Sequence, residues 1–346
     1  MQGKWISKLV SYQKLESLIG THNSMDTEIV NLQRGAFILS LDVELAWGSV
    51  HRNKLAQREK YFVETRSNIQ RLLKILERYQ IHATWAVIGH LFLDRCLPVN
   101  GINHPEIIRP INQDGEDWFL QDPCSTLQDS PIWYGSDIIQ QIVNCSVHQE
   151  IGCHTFSHVQ AGGPGCGPEC FDSELRACRV EAEKLKLELK SFVFPRNEIG
   201  YLDILKENGF TVYRGNTNMF DRLPDVVARL CRLVYGYMPT SPPVVLPTKV
   251  DQLWNIPASF FYPSTFRWLK PVSNQLRFIK TMMGLNKAVE KRRILHLWFH
   301  PFNLANQPDT LFEQLEKVFC QVDRYRKVGK IDNFTMRDLA EYLDRK

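Results

Sequence analysis

The chain has 346 residues, of which 44% are hydrophobic and 23% charged, with a formal net charge of +4 at pH 7. This composition is typical of soluble globular proteins and excludes disordered, collagen-like and coiled-coil classes. The charge is too small to indicate nucleic-acid binding by itself, and no apolar run approaches the roughly 18 residues of a transmembrane helix.

The N-terminal end and the cysteines both favour a cytoplasmic protein. Lys4, Lys8 and Lys14 interrupt any apolar stretch that could serve as the core of a signal peptide. The nine cysteines are odd in number and without repeated spacing, which favours reduced thiols over a disulfide framework. We therefore expect a cytoplasmic location, and we expect residues 1–34 to form a helical extension ahead of the main domain at 35–346.

Strand-like and helix-like segments alternate along the main domain. Short apolar, partly β-branched runs predict strands at residues 36–42, 83–88, 150–154, 192–195 and 294–299, with weaker candidates at 211–213 and 253–256. Helical periodicity predicts helices near residues 59–79, 136–144, 173–189, 201–208 and 276–289. Asp172 or Ser173 can cap the third of these. The alternation implies parallel strands with right-handed crossovers, and about seven such units predict an α/β fold, a distorted or incomplete (β/α) barrel.

One long segment does not fit this alternation. Residues 97–135 are rich in Pro, Asp and Gln and resemble a loop. A loop of that length inside a compact domain is usually functional, so we interpret it as a lip over a site at the rim of the barrel.

Polar residues of the types used in catalysis follow four of the predicted strands. These residues are Asp42, Glu44, His154, His158, Arg196 and His300. Two imidazoles four residues apart share one face of a helical turn and can reach one divalent ion. Strand alternation directs Asp42 and Glu44 to the same side, where one carboxylate can bind metal and the other can accept a proton. Each signal alone is also compatible with surface histidines, a turn-capping Asp or a surface ion pair.

The order of these motifs resembles the polysaccharide deacetylase family, the carbohydrate esterases with a NodB-type domain. Residues 40–44 (SLDVE) are similar to the family's Thr-Phe-Asp-Asp-Gly motif, and residues 154–158 (HTFSH) match its His-Ser/Thr-x-x-His motif. Residues 83–89 (ATWAVIG), 194–197 (FPRN) and 297–301 (LWFHP) resemble three further family segments. The resemblance extends from about residue 36 to residue 340.

The resemblance implies a role for each of these residues. Asp42 would be the general base that activates the attacking water, and Arg196 would hold that base in position. His300 would be the general acid that protonates the departing amine. His154 and His158 would be metal ligands together with a carboxylate.

The carboxylate ligand is where this chain departs from the family pattern. Val43 occupies the position of the family's second Asp and cannot bind a metal. We assign the ligand to Glu44, one residue further on. Two histidines and a carboxylate suit one divalent ion, with Zn²⁺ favoured and Co²⁺, Ni²⁺ or Fe²⁺ as alternatives.

The resemblance implies a hydrolase that removes acetyl groups from an N-acetylated sugar of a surface polysaccharide, or of a precursor that could be lipid-linked. Two alternatives stay open. The first is hydrolysis of a C–N bond in a small non-sugar amide or imide. The second is a non-catalytic carbohydrate-binding relative, for which Val43 is the argument.

Two further features bear on ligands. Residues 264–293 carry eight basic side chains against one acidic one, which suits either a helix on the anionic inner face of a membrane or a solvated basic face. Four aromatic residues near the predicted rim are candidates for stacking on sugar rings: Trp118, Trp133, Tyr134 and Trp298.

Overall fold

The computed structural model describes residues 28–50, 55–112, 115–163, 165–217, 224, 226–227, 235, 238–262 and 270–346. Most of the helical extension predicted at residues 1–34 lies outside these ranges, and within them Glu28–Ile29 form a short strand. None of the helices in the described ranges is long and apolar enough to cross a membrane.

The described strands belong to one sheet. In chain order they are β1 (Glu28–Ile29), β2 (Gly35–Val43), β3 (Ala83–Val87), β4 (Gln149–Cys153), β5 (Ser191–Val193), β6 (Val212–Arg214), β7 (Thr248–Val250), β8 (Leu253–Asn255), β9 (Phe260–Phe261), β10 (Ile294–Phe299) and β11 (Ile331–Phe334). Their spatial order is β1-β7-β8-β6-β5-β4-β3-β2-β10-β9, and β11 pairs with the first half of β2.

Pairing along the centre of this sheet is parallel. From β8 through β6, β5, β4, β3, β2 and β10 to β9, each strand is parallel to its neighbour, and only β7 and β1 are added in antiparallel fashion. All nine residues of β2 are buried, which explains why its sequence is a nearly continuous apolar run. The incomplete (β/α) barrel predicted from the sequence is confirmed.

Helices lie between the strands. They are α1 (Leu55–Val63), α2 (Thr65–Tyr79), α3 (Ser136–Val143), α4 (Pro168–Lys184), α5 (Leu202–Glu207), α6 (Lys270–Lys291), α7 (Pro308–Lys327) and α8 (Met336–Asp344). The single helix predicted at residues 59–79 is two helices. α4 begins at Pro168 rather than after Asp172, because proline is well suited to the first turn, where its missing N–H costs nothing.

The described part of residues 97–135 is a loop that packs onto the rim of the barrel. Trp118 Nε1 donates to the Ser157 carbonyl at 2.8 Å, and Ile108 N donates to Ser173 Oγ at 3.0 Å. Several of its apolar side chains are buried, among them Phe119 and Tyr134. The loop is therefore anchored to the segments that follow β4.

The basic stretch at residues 264–293 is only partly described, because residues 263–269 lie outside the described ranges. Within α6, Arg277 and Lys280 are buried, and Lys280 Nζ donates to the carbonyls of Tyr235 and Met238. These two cations are turned into the protein, which reduces the charge that α6 could present to a membrane surface.

Candidate active site

The carboxyl ends of β2, β4, β6 and β10 meet at one edge of the sheet, because these strands are parallel. A cavity of about 470 Å³ opens there. Its lining residues are Asp42, Glu44, Gly48, Arg58, His158, Phe194, Arg196, Asn197, Arg214, Phe261, Trp298, His300, Phe302 and Asn303. Five of the six residues selected from the sequence line this cavity, and the sixth, His154, contacts Glu44 beneath it.

The end of β2 sets the position of the carboxylates. Val43 is buried in the core, so Asp42 and Glu44 face the other way, toward the cavity. Leu45 then adopts a φ of 47°, which turns the chain sharply after Glu44. A Cβ on Gly48 would lie 1.8 Å from Glu44 Oε2, so only glycine leaves room for the glutamate side chain in this position.

The Glu44 carboxylate lies at the centre of three imidazoles. Its Oε1 is 3.3 Å from His154 Nε2, 3.2 Å from His158 Nε2 and 3.1 Å from His300 Nε2. Burial raises the pKa of Glu44, but the three histidines lower it by more, so it lies well below its ordinary value. Glu44 is therefore an ionised carboxylate.

The segment carrying His154 and His158 is an irregular loop, not the helical turn that the spacing predicts. Thr155 and His158 have φ values of 60° and 67°, which no α-helix contains. The two imidazoles nevertheless converge, with ring centroids 5.0 Å apart. Convergence thus depends on the loop conformation rather than on helical spacing.

Glu174 of α4 holds this loop in place. Its Oε2 accepts hydrogen bonds from the backbone N–H groups of Phe156 and Ser157, each at 2.8 Å, and its Oε1 accepts one from Ser157 Oγ at 2.7 Å. Glu174 is completely buried. The sequence analysis missed this residue, whose only signal is a glutamate on the buried face of a helix.

Glu44, His154 and His158 fit a divalent metal ion. Their ligand atoms all lie within 4.8 Å of one another. His154 Nδ1 lies 2.7 Å from the Val193 carbonyl, so it carries the proton and its Nε2 presents a lone pair toward Glu44. A backbone carbonyl bound to the far nitrogen is the usual support of a metal-binding histidine. The buried Nε2 of His158 has no hydrogen-bond partner, as expected of a ligand atom.

Asp42 is paired with Arg214 at the end of β6. Two nearly parallel hydrogen bonds join them, Nη1 to Oδ1 at 2.6 Å and Nη2 to Oδ2 at 2.7 Å. Burial raises the pKa of Asp42, but the Arg214 guanidinium, together with His154 and His300, lowers it by more, so the net pKa is below its ordinary value. Arg196 Nη1 instead donates to Gln160 Oε1 at 2.9 Å. The contact predicted for Arg196 is thus made by Arg214.

No motif indicates Arg214 in the sequence: it directly follows the weaker strand candidate at residues 211–213, in the segment VYRGN. Arg214 also donates to Ser40 Oγ at 3.0 Å, and its guanidinium lies 4.2 Å from the centroid of a Trp298 ring. These contacts hold the planar guanidinium group of Arg214 in position against Asp42.

His300 stands beside both carboxylates with its side chain 17% exposed, so it is open to the cavity. Its Nδ1 lies 3.1 Å from Asn303 Oδ1, and its Nε2 is 4.0 Å from Asp42 Oδ2. Burial lowers the pKa of His300, but Glu44 and Asp42 raise it by more, so it lies above its ordinary value. The imidazole is therefore suited to carry a proton near neutral pH.

Of the aromatic residues considered for stacking on sugar, only Trp298 lines the cavity, together with Phe261 and Phe302. Trp118, Trp133 and Tyr134 belong to the described part of residues 97–135, the rim loop, and their side chains are buried in the core.

Comparisons with known proteins identify the fold. A scan against protein-family models gives no match, and neither does a search of curated proteins. A solved structure described as a polysaccharide deacetylase from Mycobacterium smegmatis is similar with a TM-score of 0.58 at 15% identity, covering 92% of this chain and 93% of that one. One from Pseudomonas aeruginosa PAO1, also described as a polysaccharide deacetylase, gives 0.53 at 11% identity, with coverages of 90% and 91%.

A third solved structure, the allantoinase PuuE, gives a TM-score of 0.50 at 10% identity, covering 88% of this chain and 89% of that one. At such identities the similarity concerns the fold and not the reaction. The similar structures, the parallel half-barrel and the polar residues at its strand ends agree with one another, and the chain has the fold of the NodB-type polysaccharide deacetylases.

Proposed function

We propose that this protein is a metal-dependent hydrolase that removes acetyl groups from an N-acetylated sugar. One observation carries the proposal. A His-His-carboxylate set, an arginine-paired aspartate and a protonatable histidine line or border the same open cavity. An open set of three protein ligands is typical of catalytic metal sites, whereas closed sets of four are typical of structural ones.

The arrangement meets the requirements of amide hydrolysis. An amide is a poor electrophile with a basic leaving group, so the reaction needs an activated water, stabilisation of the developing oxyanion and a proton for nitrogen. A divalent ion held by Glu44, His154 and His158 would polarise the carbonyl and acidify water.

The remaining steps belong to side chains of this chain. Asp42, kept ionised by Arg214, accepts a proton from the attacking water. His300, whose pKa is raised above its ordinary value by Glu44 and Asp42, donates a proton to the departing amine nitrogen. Both groups border the same cavity, so neither has to move far to reach an amide placed there.

The cavity walls suit a sugar. Trp298 and Phe261 provide apolar faces on which a pyranose ring can stack, with ring centroids 4.5 Å from each other. Arg196, Asn197 and Asn303, which also line the cavity, provide hydrogen-bonding groups for hydroxyls. The substrate class proposed is therefore an N-acetylated glycan or its precursor, and Zn²⁺ is the proposed metal.

The similarity to an allantoinase favours a second candidate, hydrolysis of a small cyclic amide. The same metal ligands and the same acid and base would serve that reaction. The two candidates differ in the cavity, because a small imide would not use the aromatic face of Trp298. Trp298→Leu should therefore raise KM for an oligosaccharide more than KM for a small imide, while loss of its contact with Arg214 should lower kcat on both substrates alike.

The test is acetate release from N-acetylglucosamine oligomers by the purified, zinc-loaded protein, with allantoin as the second substrate. Asp42→Asn should lower kcat by about 10²- to 10⁴-fold, and His154→Ala should remove activity together with the metal ion held by Glu44, His154 and His158. Two matched controls lie away from the cavity: Asp332→Asn, on the outer part of β11, and His148→Ala, whose side chain is 54% exposed. Full activity of Asp42→Asn, or glycan binding without acetate release by the zinc-loaded protein, would contradict the proposal.

A further inference from the structure

A second group of ligand-type side chains meets beneath the rim loop, and the proposed reaction does not use it. We call it the loop cluster: His90, Cys96, His104 and Asp122, whose ligand atoms all lie within 4.8 Å of one another. Asp122 Oδ2 is 3.0 Å from His104 Nε2, 3.5 Å from His90 Nε2 and 3.7 Å from Cys96 Sγ. None of these residues belongs to the candidate active site.

These separations match the edges of a zinc tetrahedron. Bonds of about 2.0–2.1 Å to nitrogen or oxygen and about 2.3 Å to sulfur place tetrahedral ligand atoms roughly 3.3–3.6 Å apart. The three distances from Asp122 Oδ2 lie close to this range. Adjusting them requires shifts of only a few tenths of an ångström.

The protonation of His90 gives an independent reason to expect a cation. His90 Nδ1 lies 3.1 Å from the Trp133 carbonyl and donates to it, so in the neutral imidazole Nε2 carries the lone pair. That nitrogen is completely buried, has no hydrogen-bond partner and faces the Asp122 carboxylate. Two acceptors that face each other away from water are unfavourable unless a cation lies between them.

The surroundings are those of a closed site. The Trp47 ring lies 4.5 Å from the His90 ring, and the Phe119 and Phe156 rings lie 5.2 Å and 5.1 Å from the His104 ring, measured between centroids. Such walls leave little room for a substrate. A closed set of four protein ligands is typical of structural zinc, whereas catalytic sites keep an open position.

The positions of the four residues in the chain show what an ion would stabilise. His90 lies in the short 3-10 helix Gly89–Phe92 that follows β3, while the other three lie in the following irregular segment. An ion would tie the start of that segment to its middle and reduce the conformational entropy lost when it orders. This explains how a loop without helix or strand can pack firmly against the segment after β4.

We propose that the loop cluster binds one divalent ion of the zinc class through His90 Nε2, His104 Nε2, the Asp122 carboxylate and the Cys96 thiolate, and that this ion fastens the rim loop. Binding displaces two protons to solvent: the thiol proton of Cys96 and the proton that His104 Nε2 donates to Asp122. Tyr134 Oη, 3.2 Å from Cys96 Sγ, then donates a hydrogen bond to the thiolate.

Cys124 provides a matched control within the same structure. Its Sγ is 3.4 Å from Cys96 Sγ, yet Cys124 lies outside the group of mutually close ligand atoms. Cys96→Ser and Cys124→Ser remove the same chemical group from neighbouring positions, and only the first should abolish the site.

The experiment measures metal content and cobalt spectra of the full chain, prepared under reducing conditions and exposed to Zn²⁺ or Co²⁺ alone. Wild type should hold two zinc ions, and His154→Ala and Cys96→Ser should each hold one. Co²⁺ should give the near-ultraviolet thiolate charge-transfer band in wild type, His154→Ala and Cys124→Ser, and no such band in Cys96→Ser. Because the band survives in His154→Ala, this test is independent of the proposed hydrolase function.

Three results would overturn the proposal: no thiolate–cobalt band in wild type, a Cys96–Cys124 disulfide in the freshly reduced protein, or equal loss of the band in both serine variants. If Cys96→Ser fails to fold, the wild type still decides the question. Chelation of the zinc-loaded His154→Ala variant should expose residues 97–135 to protease, and unchanged protease resistance after metal removal would contradict a structural role.

Discussion

The candidate active site and the loop cluster use similar chemistry for different purposes. In each, a carboxylate oxygen lies 3.0–3.5 Å from at least two imidazole nitrogens, and one histidine is oriented by a backbone carbonyl. Glu44, His154 and His158 border a cavity of about 470 Å³. The loop cluster instead includes a thiol, that of Cys96, and is surrounded by aromatic rings. The ligand types overlap, so access to solvent distinguishes the two.

This difference follows from where each cluster lies. The strand ends of a parallel half-barrel leave a rim that only loops can cover, so side chains placed there remain accessible to substrate. The loop cluster lies under one of those covering loops, among buried aromatic side chains. Accessible ligands can serve catalysis, and enclosed ones serve folding.

The largest expected effect comes from changing the carboxylate of each cluster to an amide. Glu44→Gln should lower hydrolysis by about 10²- to 10³-fold, because a divalent ion contributes several kcal/mol to the stabilisation of the transition state. Asp122→Asn should change kcat by less than about threefold at low temperature but lower the melting temperature. These two predictions are checked by measuring metal content, hydrolysis kinetics and thermal unfolding of both variants.

The opposite result would contradict the roles assigned to the two clusters. If Asp122→Asn abolished hydrolysis while Glu44→Gln only lowered stability, the roles of the two clusters would be exchanged. Asp332→Asn, on the outer part of β11, is the control for carboxylate replacement in general.

A second, smaller effect separates the two arginines at the rim. Arg214→Lys should lower kcat/KM by about 10- to 100-fold, because lysine cannot reproduce the two-point contact with Asp42. The acidic limb of the pH–rate profile should also move to higher pH, since Arg214 lowers the pKa of Asp42.

Arg196→Lys is the matched variant and should leave the acidic limb in place, because Arg196 Nη1 donates to Gln160 Oε1. Since Arg196 also lines the cavity, any decrease in kcat/KM should arise from a higher KM. Equal profiles for the two lysine variants would show that Arg214 does not position the base.

The sequence predicts the fold well because parallel β/α units combine two strong signals, buried apolar strands and helices of regular period. The central strands fall within a residue or two of their predicted positions, whereas α4 begins five residues before its predicted start. The ends of an apolar strand also show where polar side chains gather, which is why Asp42, Glu44 and His300 could be selected.

Contacts that depend on tertiary structure could not be predicted from sequence patterns. Arg214 reaches Asp42 across 172 residues of sequence, and Glu174 supports the histidine loop from a separate helix. The loop cluster has irregular spacings within a segment without periodicity, so no ligand motif indicates it. In each case the residues come into contact only because of the tertiary fold, and their spacing in the sequence does not indicate the contact.

Glu174 allows a third comparison, between two replacements of one residue. Glu174→Ala removes all three acceptor contacts to the histidine loop and should lower metal affinity about tenfold, as expected for loss of a group that orients ligands. Glu174→Gln keeps an oxygen for the two backbone N–H groups and should lower it by less than about threefold. Zinc titration against a competing chelator measures both.

The pH dependence of stability is an effect whose sign can be derived from one residue. Burial raises the pKa of Glu174 to about 7 from the ordinary 4.5, although hydrogen bonds from Ser157 and Phe156 oppose this. Between these values the folded chain retains a proton that the unfolded chain has lost, so stability decreases as pH rises from about 4.5 to 7, by roughly 3 kcal/mol in total.

Glu174→Gln cannot ionise, so its free energy of unfolding should lack this contribution. As pH rises from about 4.5 to 7, the free energy of unfolding of the variant should therefore increase relative to that of wild type. Urea unfolding of both proteins at several pH values isolates the contribution of Glu174 to the free energy of unfolding, because every other titrating group is present in both. A difference that stays constant with pH would mean that the donors around Glu174 keep its folded pKa near 4.5, and that the loop carrying His154 and His158 is held by an ionised carboxylate throughout.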